Sequence, residues 1–241
     1  MNFPQTMGML DRQVVEGVHN VENKVLFGDK PVVHLHTHSH YSVLDGLATP
    51  AELVQAAKAD GAPAVAITDH GSISALPELM KAAEQHEVKP IIGVEFYVVD
   101  TLQDTYIDDN GKEKKLKLPR YHLTVLAKNW SGIESLFEKL TLANAQKNKK
   151  PLLTFEQVWD FRDCIVMSAC ASGILSHDDY RYYAERFKTV YGDDFYLEVM
   201  PHNFDMNNTV VSRALELHSE GYPLVATCDA HYVGRGAQFT Q

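Results

Sequence analysis

The sequence predicts an α/β fold, and within that class a closed βα barrel. Segments with strand and helix patterns alternate about seven times, which is typical of parallel strands joined by helical crossovers. The chain has 241 residues, a length at which seven such units favour one closed barrel. It contains neither a G-x-G-x-x-G nor a Walker A pattern, so nothing favours a nucleotide-cofactor fold. A doubly wound open sheet is the alternative.

Each predicted strand is a short apolar run bounded by polar or turn residues. The seven predicted strands span residues 32–38, 64–70, 89–99, 121–127, 164–170, 194–200 and 223–231. Residues 101–118 are polar and carry the turn signal Asp109-Asn110-Gly111, which predicts a β-hairpin between the third and fourth strands.

Capping signals predict where helices begin. Thr49-Pro50-Ala51-Glu52 is a capping box with proline at the first helical position, and Thr154-Phe155-Glu156-Gln157 is a second box. The predicted helices span residues 11–23, 50–60, 76–85, 130–145, 180–190 and 207–219.

Composition excludes several classes of protein. A formal net charge of −10 argues against a broad phosphate-binding surface, although bound metals would reverse the sign locally. Three irregularly spaced cysteines do not predict a disulfide framework. No stretch is apolar enough to span a bilayer, and residues 1–30 lack a signal-peptide core. These features predict a cytoplasmic protein.

Four histidines alternate with other residues between positions 34 and 40. They are His34, His36, His38 and His40. On a strand all four imidazoles would lie on one face, where two neighbouring rings can converge on one metal ion. The alternative is a polar strand face without metal, but four imidazoles there would repel when protonated and lack partners when neutral.

The ends of the predicted strands carry residues that can bind metals, and in βα barrels this is where the chemistry lies. These residues are His36, His38, Asp45, His70, Glu95, Cys170, His202, Asp229 and His231. So many ligands exceed the needs of one tetrahedral ion, which predicts two or three metals with a bridging carboxylate such as Glu95. Paired metals favour phosphoester hydrolysis.

His122 does not follow this rule, because it lies near the start of the fourth predicted strand. Either that strand begins earlier than residue 121, or the preceding hairpin reverses the direction of the strand.

Seven motifs together resemble the PHP (polymerase and histidinol phosphatase) superfamily. They are His36-x-His38, Asp45-Gly46, Thr68-Asp69-His70-Gly71, Gly93-Val94-Glu95, Tyr121-His122-Leu123, Ser168-Ala169-Cys170 and Asp229-Ala230-His231. Residues 34–46, 89–95 and 121–128 are similar to the PHP domain of bacterial DNA polymerase III alpha subunits in particular. The resemblance covers residues 31–235, about 85% of the chain.

The resemblance implies a distorted seven-stranded (β/α)7 TIM-like barrel with a trinuclear metal site. Its nine ligands would be His36, His38, Asp45, His70, Glu95, His122, Cys170, Asp229 and His231. His36, His38, Glu95, Asp229 and His231 would act in catalysis through the bound metals. The ions expected are zinc or manganese, with iron as a further candidate. The implied activity is 3′–5′ exonuclease or related phosphoesterase activity in DNA replication.

The same resemblance predicts the domains and partners of the chain. Residues 1–30 would be an N-terminal extension and residues 31–241 the PHP domain. The family's polymerase subunit continues into a palm domain, so this chain would be an isolated, truncated or split part that cannot polymerise DNA itself. The 3′ end of DNA is the expected substrate, and polymerase domains on another chain are expected partners.

Two other functions remain open: a non-catalytic, metal-stabilised scaffold module, and a small-molecule phosphatase of the histidinol-phosphatase type.

His202, Arg235 and His40 are candidate substrate contacts. Among the remaining residues, His34 is expected to hydrogen-bond a ligand, and Asp69 either orients a ligand or serves the turn. Lys147, Lys149 and Lys150 form a solvated loop or contact DNA or a partner, and His19, His86, His177 and His218 are expected on the surface.

Overall fold

The computed structural model describes residues 32–103, 105–116, 118–146 and 150–234. The helix predicted over residues 11–23, the whole extension 1–30, His19, Lys147, Lys149 and Arg235 lie outside the described residues. The helices are α1 (Pro50–Ala59), α2 (Leu76–His86), α3 (Trp130–Ala145), α4 (Tyr180–Tyr191) and α5 (Asp205–Ser219). The strands are β1 (Ala64–Ile67), β2 (Lys89–Val99), β3 (Thr105–Ile107), β4 (Glu113–Lys115), β5 (Tyr121–Ala127), β6 (Leu152–Thr154), β7 (Cys164–Met167), β8 (Phe195–Val199) and β9 (Leu224–Ala226).

The main sheet has the order β1-β2-β5-β7-β8-β9, with β6 also paired to β2. Strand β5 runs antiparallel to both of its neighbours, β2 and β7, whereas the other pairs are parallel. The prediction of parallel strands throughout is therefore wrong at β5. The predicted hairpin, β3–β4, forms between β2 and β5 and takes the place of a helical crossover, so β5 returns in the opposite direction.

The predicted first strand is replaced by an extended segment held through isolated bridges. His34 pairs with Val65 of β1, and Thr37 pairs with Ala230 beyond β9. Hydrogen bonds that involve side chains compete here with the regular backbone pairing of a strand. The Thr37 hydroxyl donates to the Ala66 carbonyl, and the backbone N–H of Thr37 donates to Thr68 Oγ1 at 3.1 Å. The result is a mixed α/β fold with a curled, open sheet, and a closed seven-stranded barrel is not confirmed.

Helix starts follow the predicted capping signals. The Thr49 hydroxyl accepts the Glu52 N–H at 3.2 Å, and the Glu52 carboxylate accepts the Thr49 N–H at 2.8 Å. The second box, at Thr154 and Gln157, opens a single 3₁₀ turn rather than a longer helix. The five predicted helices that fall on described residues are confirmed within two residues at each end.

The main apolar core lies between β2, β5, β7 and β8 and the helices α3, α4 and α5. Phe96, Leu123, Leu136, Phe187 and Phe195 are fully buried in it. Each such side chain contributes roughly 1.5–3 kcal/mol by leaving water. This core fixes the strands whose ends carry the polar residues described next.

Among the described residues, no helix is both long and apolar enough to cross a membrane.

Candidate metal centre

Glu95 is the centre of a cluster of histidines. It is fully buried within β2, and its two carboxylate oxygens face four imidazoles. The closest nitrogen of each ring lies 3.3 Å (His36), 3.3 Å (His38), 2.7 Å (His70) and 2.8 Å (His122) from a Glu95 oxygen. These rings come from the 32–38 segment, the segment that follows β1 and the start of β5. His122 reaches the cluster because β5 is antiparallel, which settles the ambiguity left by its sequence position.

Asp229 supplies a second carboxylate from the segment after β9. Its Oδ1 lies 3.4 Å from His36 Nε2 and 3.1 Å from His38 Nε2. Asp229 adopts a left-handed backbone conformation with φ of 49°, which aspartate tolerates better than most residues. His231 follows two residues later, and its ring stacks on His38 at a centroid distance of 4.4 Å.

Asp45 and Cys170 lie at the margin of the cluster. Asp45 Oδ2 is 3.2 Å from His70 Nε2. Cys170 Sγ is 3.5 Å from His122 Nδ1 and 3.8 Å from Glu95 Oε1. All nine residues predicted as ligands therefore lie in one connected cluster.

The rings of His36 and His38 are each anchored on the Nδ1 side. His36 Nδ1 donates to the buried carboxylate of Glu198 at 2.9 Å. The Ser42 hydroxyl donates to Asp69 Oδ1 at 2.9 Å, so it accepts from His38 Nδ1 at 2.8 Å. In the neutral ring, both arrangements leave the lone pair of Nε2 directed into the cluster.

Asp69 orients this side of the site through hydrogen bonds to neighbouring groups. It is buried, and its carboxylate also accepts the Ser39 N–H and the Ser39 hydroxyl, each at 2.7 Å. The Asp69 carboxylate is linked to His38 by way of Ser42, and the Asp69 carbonyl accepts the Ser72 N–H of the turn, so both predicted roles stay open.

Burial alone would lower the pKa values of the two central imidazoles, but the carboxylates around them outweigh it. Glu198, Glu95 and Asp229 together raise the pKa of His36 well above its ordinary value. Burial also lowers the pKa of His38, but Asp229 and Glu95 raise it to about 9. Without metal, these rings therefore hold protons at neutral pH that a metal ion would have to displace.

The other members of the cluster respond to the same charges. Burial would raise the pKa of Glu95, yet His122 and His36 hold it well below its usual range. Burial, and then the Glu95 and Asp229 charges, raise the pKa of the Cys170 thiol well above its ordinary value. Burial, followed by the charge on His38, lowers the pKa of His231.

Several buried atoms at the centre lie 2.7–3.4 Å from one another without hydrogen-bond geometry. They are His36 Nε2, His38 Nε2, His70 Nδ1, Glu95 Oε2 and Asp229 Oδ1. These nitrogens and oxygens face one another, and that arrangement fits ligands that converge on metal ions. Within three overlapping groups, the ligand atoms lie within 4.8 Å of one another: His38, His70 and His231; His36, His38, Glu95 and Asp229; and His70, Glu95 and His122.

The remaining predicted site residues lie outside the cluster. His202 is exposed, and its Nε2 donates to the Cys228 carbonyl at 3.0 Å. His40 is exposed beside the ring of Tyr41. The expectation that His177 is a surface residue is wrong, because it is only 7% exposed and packs among aromatic rings.

Sequence reasoning missed two residues that hold the site together, Glu198 and Ser42. Glu198 interrupts the apolar run of β8, and a charged residue in the middle of a buried strand is the signal that could have revealed it. Besides His36, Glu198 accepts the Ala169 N–H at 3.0 Å and the Thr227 hydroxyl at 2.6 Å. Ser42 carried no comparable signal.

Comparison with known proteins identifies the family. The model of the PHP domain matches residues 34–202, more than half of the chain. The chain belongs to the PHP domain family. Over 214 residues, the PHP chain is 32% identical to DNA polymerase III subunit alpha of Borreliella burgdorferi, covering 84% of this chain. Over 219 residues it is 30% identical to the same subunit of Aquifex aeolicus, covering 85%.

The PHP chain spans only 18% of the length of these two curated relatives. Among solved structures, it is similar to a candidate metal-dependent phosphoesterase of Bifidobacterium adolescentis, with a TM-score of 0.54 and 16% identity over 86% of this chain and 91% of that one. An amidohydrolase of Chromobacterium violaceum gives a TM-score of 0.51 at 16% identity, over 84% and 88% of the two chains. At this identity the likeness shows the fold alone.

Proposed function

We propose that this PHP chain hydrolyses phosphodiester bonds at the 3′ end of DNA as a metal-dependent 3′–5′ exonuclease of a DNA polymerase III alpha subunit. The observation that carries the proposal is the set of buried, inward-facing nitrogen and oxygen atoms around Glu95. The polymerase relatives and the phosphoesterase neighbour support it. The remaining domains of such a polymerase are the proposed partners, and a cytoplasmic location stays a prediction.

The proposed ligands are the nine clustered residues, which would hold two or three divalent ions. Four imidazoles around one carboxylate exceed the coordination of a single tetrahedral ion. Imidazole, carboxylate and one thiol favour zinc or manganese, with iron as a further candidate, over calcium or magnesium. Ions bound there would supply Lewis-acid polarisation of a phosphoester and activation of water at neutral pH.

The residues of the chain would prepare the centre for that chemistry. Glu198 and Ser42 hold the rings of His36 and His38 so that each Nε2 faces inward. The lowered pKa of His231 keeps its ring neutral at pH 7, in the form that binds a metal or accepts a proton.

The direct test is a nuclease assay on protein stripped with chelator and reloaded with manganese or zinc. We expect stepwise release of mononucleotides from a 3′-labelled DNA primer, abolished in the double variant His36→Ala, His38→Ala. The matched control is His86→Ala, His218→Ala, which removes two histidines outside the cluster.

Two outcomes would contradict the proposal, and each would support one of the other functions. A metal-loaded protein that is inert towards every phosphoester tested would support the non-catalytic scaffold. Turnover of histidinol phosphate without attack on DNA would support the small-molecule phosphatase.

A further inference from the structure

Lys150 is a lysine at the edge of the cluster, in contact with Tyr97. Its Nζ donates to the Tyr97 hydroxyl at 3.0 Å and lies 4.4 Å from the centroid of the Tyr97 ring. That ring is 5.4 Å from the ring of His70 and 5.1 Å from that of His122. A single aromatic side chain therefore separates the ammonium from two proposed ligands.

The backbone that follows Lys150 contacts the sheet. The next residue, Pro151, packs against Gly71, where φ is +54° and a side chain would collide with the proline ring. Leu152 then pairs with Tyr97 in the β6–β2 ladder, and its carbonyl accepts from Gln146 at 3.0 Å. Lys150 is thus held next to Tyr97 by residues that belong to the sheet carrying the cluster.

Lys150 and Tyr97 offer hydrogen-bond donors that the described residues leave unused. Lys150 is exposed and forms no ion pair with a described acidic residue, whereas Lys128 and Lys139 pair with Asp194 and Asp160. The Lys150 ammonium has three N–H donors, and one of them forms the hydrogen bond to Tyr97, so two can bind another acceptor. No described residue accepts the proton of the Tyr97 hydroxyl.

A fixed cation with a neighbouring hydroxyl donor is suited to an anionic oxygen. The chain has a net charge of −10, and Lys150 adds a positive charge beside Tyr97, the residue that packs against His70 and His122. That charge would act together with the charge of metal ions bound at the centre.

We propose that Lys150 and Tyr97 form a phosphate-binding subsite that holds a phosphodiester group of a nucleic acid strand at the rim of the metal centre. The subsite rests on the proposed function, since it names how that substrate is held. Lys150 contributes charge and N–H donors, and Tyr97 fixes the ammonium while donating its own proton to a phosphate oxygen.

The test measures binding of a fluorescein-labelled five-nucleotide oligothymidylate to the manganese-loaded full chain. We expect Lys150→Gln to weaken binding about 10-fold and Tyr97→Phe to weaken it a few-fold. The salt dependence of log K should become shallower by about 0.7 in Lys150→Gln, as expected for one lost phosphate contact on a single strand. Lys81→Ala, which removes an exposed lysine on α2, is the control and should match the unmodified chain.

If the oligonucleotide is hydrolysed, Lys150→Gln should raise KM about 10-fold and leave kcat within a factor of about 3. If no variant or parent hydrolyses DNA, the proposed function fails, while the binding data still support or refute the subsite. Affinity and salt slope in Lys150→Gln equal to those of Lys81→Ala would overturn the subsite. Loss of metal from Lys150→Gln would also overturn it, because the lysine would then support the centre rather than bind phosphate.

Discussion

His177 and His36 are both buried histidines, yet their ring nitrogens are used differently. His177 Nε2 contacts Asp100 at 3.2 Å, and its Nδ1 accepts the Asp179 N–H at 2.8 Å. The ring also packs against Tyr183 at 4.7 Å. His36 has only its Nδ1 side hydrogen-bonded, while its Nε2 faces Glu95 and Asp229 without a hydrogen bond.

The difference separates a structural histidine from a candidate ligand. Five buried polar atoms at the centre lie 2.7–3.4 Å from one another without hydrogen-bond geometry. Buried polar groups that converge in this way, with imidazole nitrogens facing carboxylate oxygens, suit a metal ion. At His177 both ring nitrogens have hydrogen-bond partners, so the structure gives no reason to propose a metal there.

The largest expected effect comes from Glu95→Gln, which keeps the shape of the central side chain and removes its charge. We expect loss of bound metal and a fall in hydrolysis of at least about 100-fold, because four imidazoles lose their shared carboxylate. Elemental analysis and the primer assay measure the two effects. Asp100→Asn makes the equivalent change beside His177 and should leave the metal content unaltered. Equal loss of metal in both variants would contradict the distinction between candidate ligands and a structural histidine.

The next largest effect concerns the stability of the fold rather than the binding of metal. We expect His177→Ala to lower the free energy of unfolding by about 2–3 kcal/mol, because it removes a packed ring and leaves Asp100 and the Asp179 N–H without this partner. Urea unfolding of the chelator-treated chain measures it, with His86→Ala as the control. Metal content should equal that of the parent, and a reduced metal content would place His177 in the centre after all.

Ser42→Ala tests the anchoring of the candidate ligands. The hydroxyl links His38 Nδ1 to Asp69, so its loss should weaken metal affinity about 10-fold while the ligands themselves remain. Competition with a chromophoric chelator gives the affinity. Ser74→Ala, at an exposed serine, is the control, and unchanged affinity in Ser42→Ala would show that the anchoring is unimportant.

Prediction of these features from the sequence succeeded where the signal is local. Capping boxes at Thr49 and Thr154 and the turn at Asn110-Gly111 marked element boundaries. The direction of β5 could not be read in the same way, because it depends on how the hairpin places the strand in the sheet. The irregular pairing of residues 34–37 depends on side-chain bonds that form only in the folded chain.

Most candidate ligands were predicted because they follow the ends of predicted strands and match family motifs, whereas His122 was predicted from its family motif alone. Glu198 and Ser42 were not, since their roles depend on burial and on partners far away in sequence, such as His36 for Glu198. His177 was assigned to the surface for the same reason, because a lone histidine reveals neither its burial nor its partners.

The smallest expected effect is a release of protons when metal binds. With its pKa raised to about 9, the His38 ring is protonated at pH 7 in the metal-free chain, and only the neutral ring can bind a metal. Metal affinity should therefore increase as the pH rises from 7 towards 9. Addition of zinc at pH 7 in weak buffer should release about one proton or more per chain. Affinity that does not depend on pH would contradict this charge state, and Glu95→Gln, which should not bind metal, is the control.

We propose that Glu95 and the histidines around it hold more than one metal ion. Anomalous X-ray scattering from crystals of the manganese-loaded chain tests it directly. We expect two or three anomalous peaks beside Glu95, each at about 2.0–2.2 Å from imidazole nitrogens or carboxylate oxygens of the cluster. A map with no peak in the cluster, or with peaks only at surface carboxylates, would contradict it.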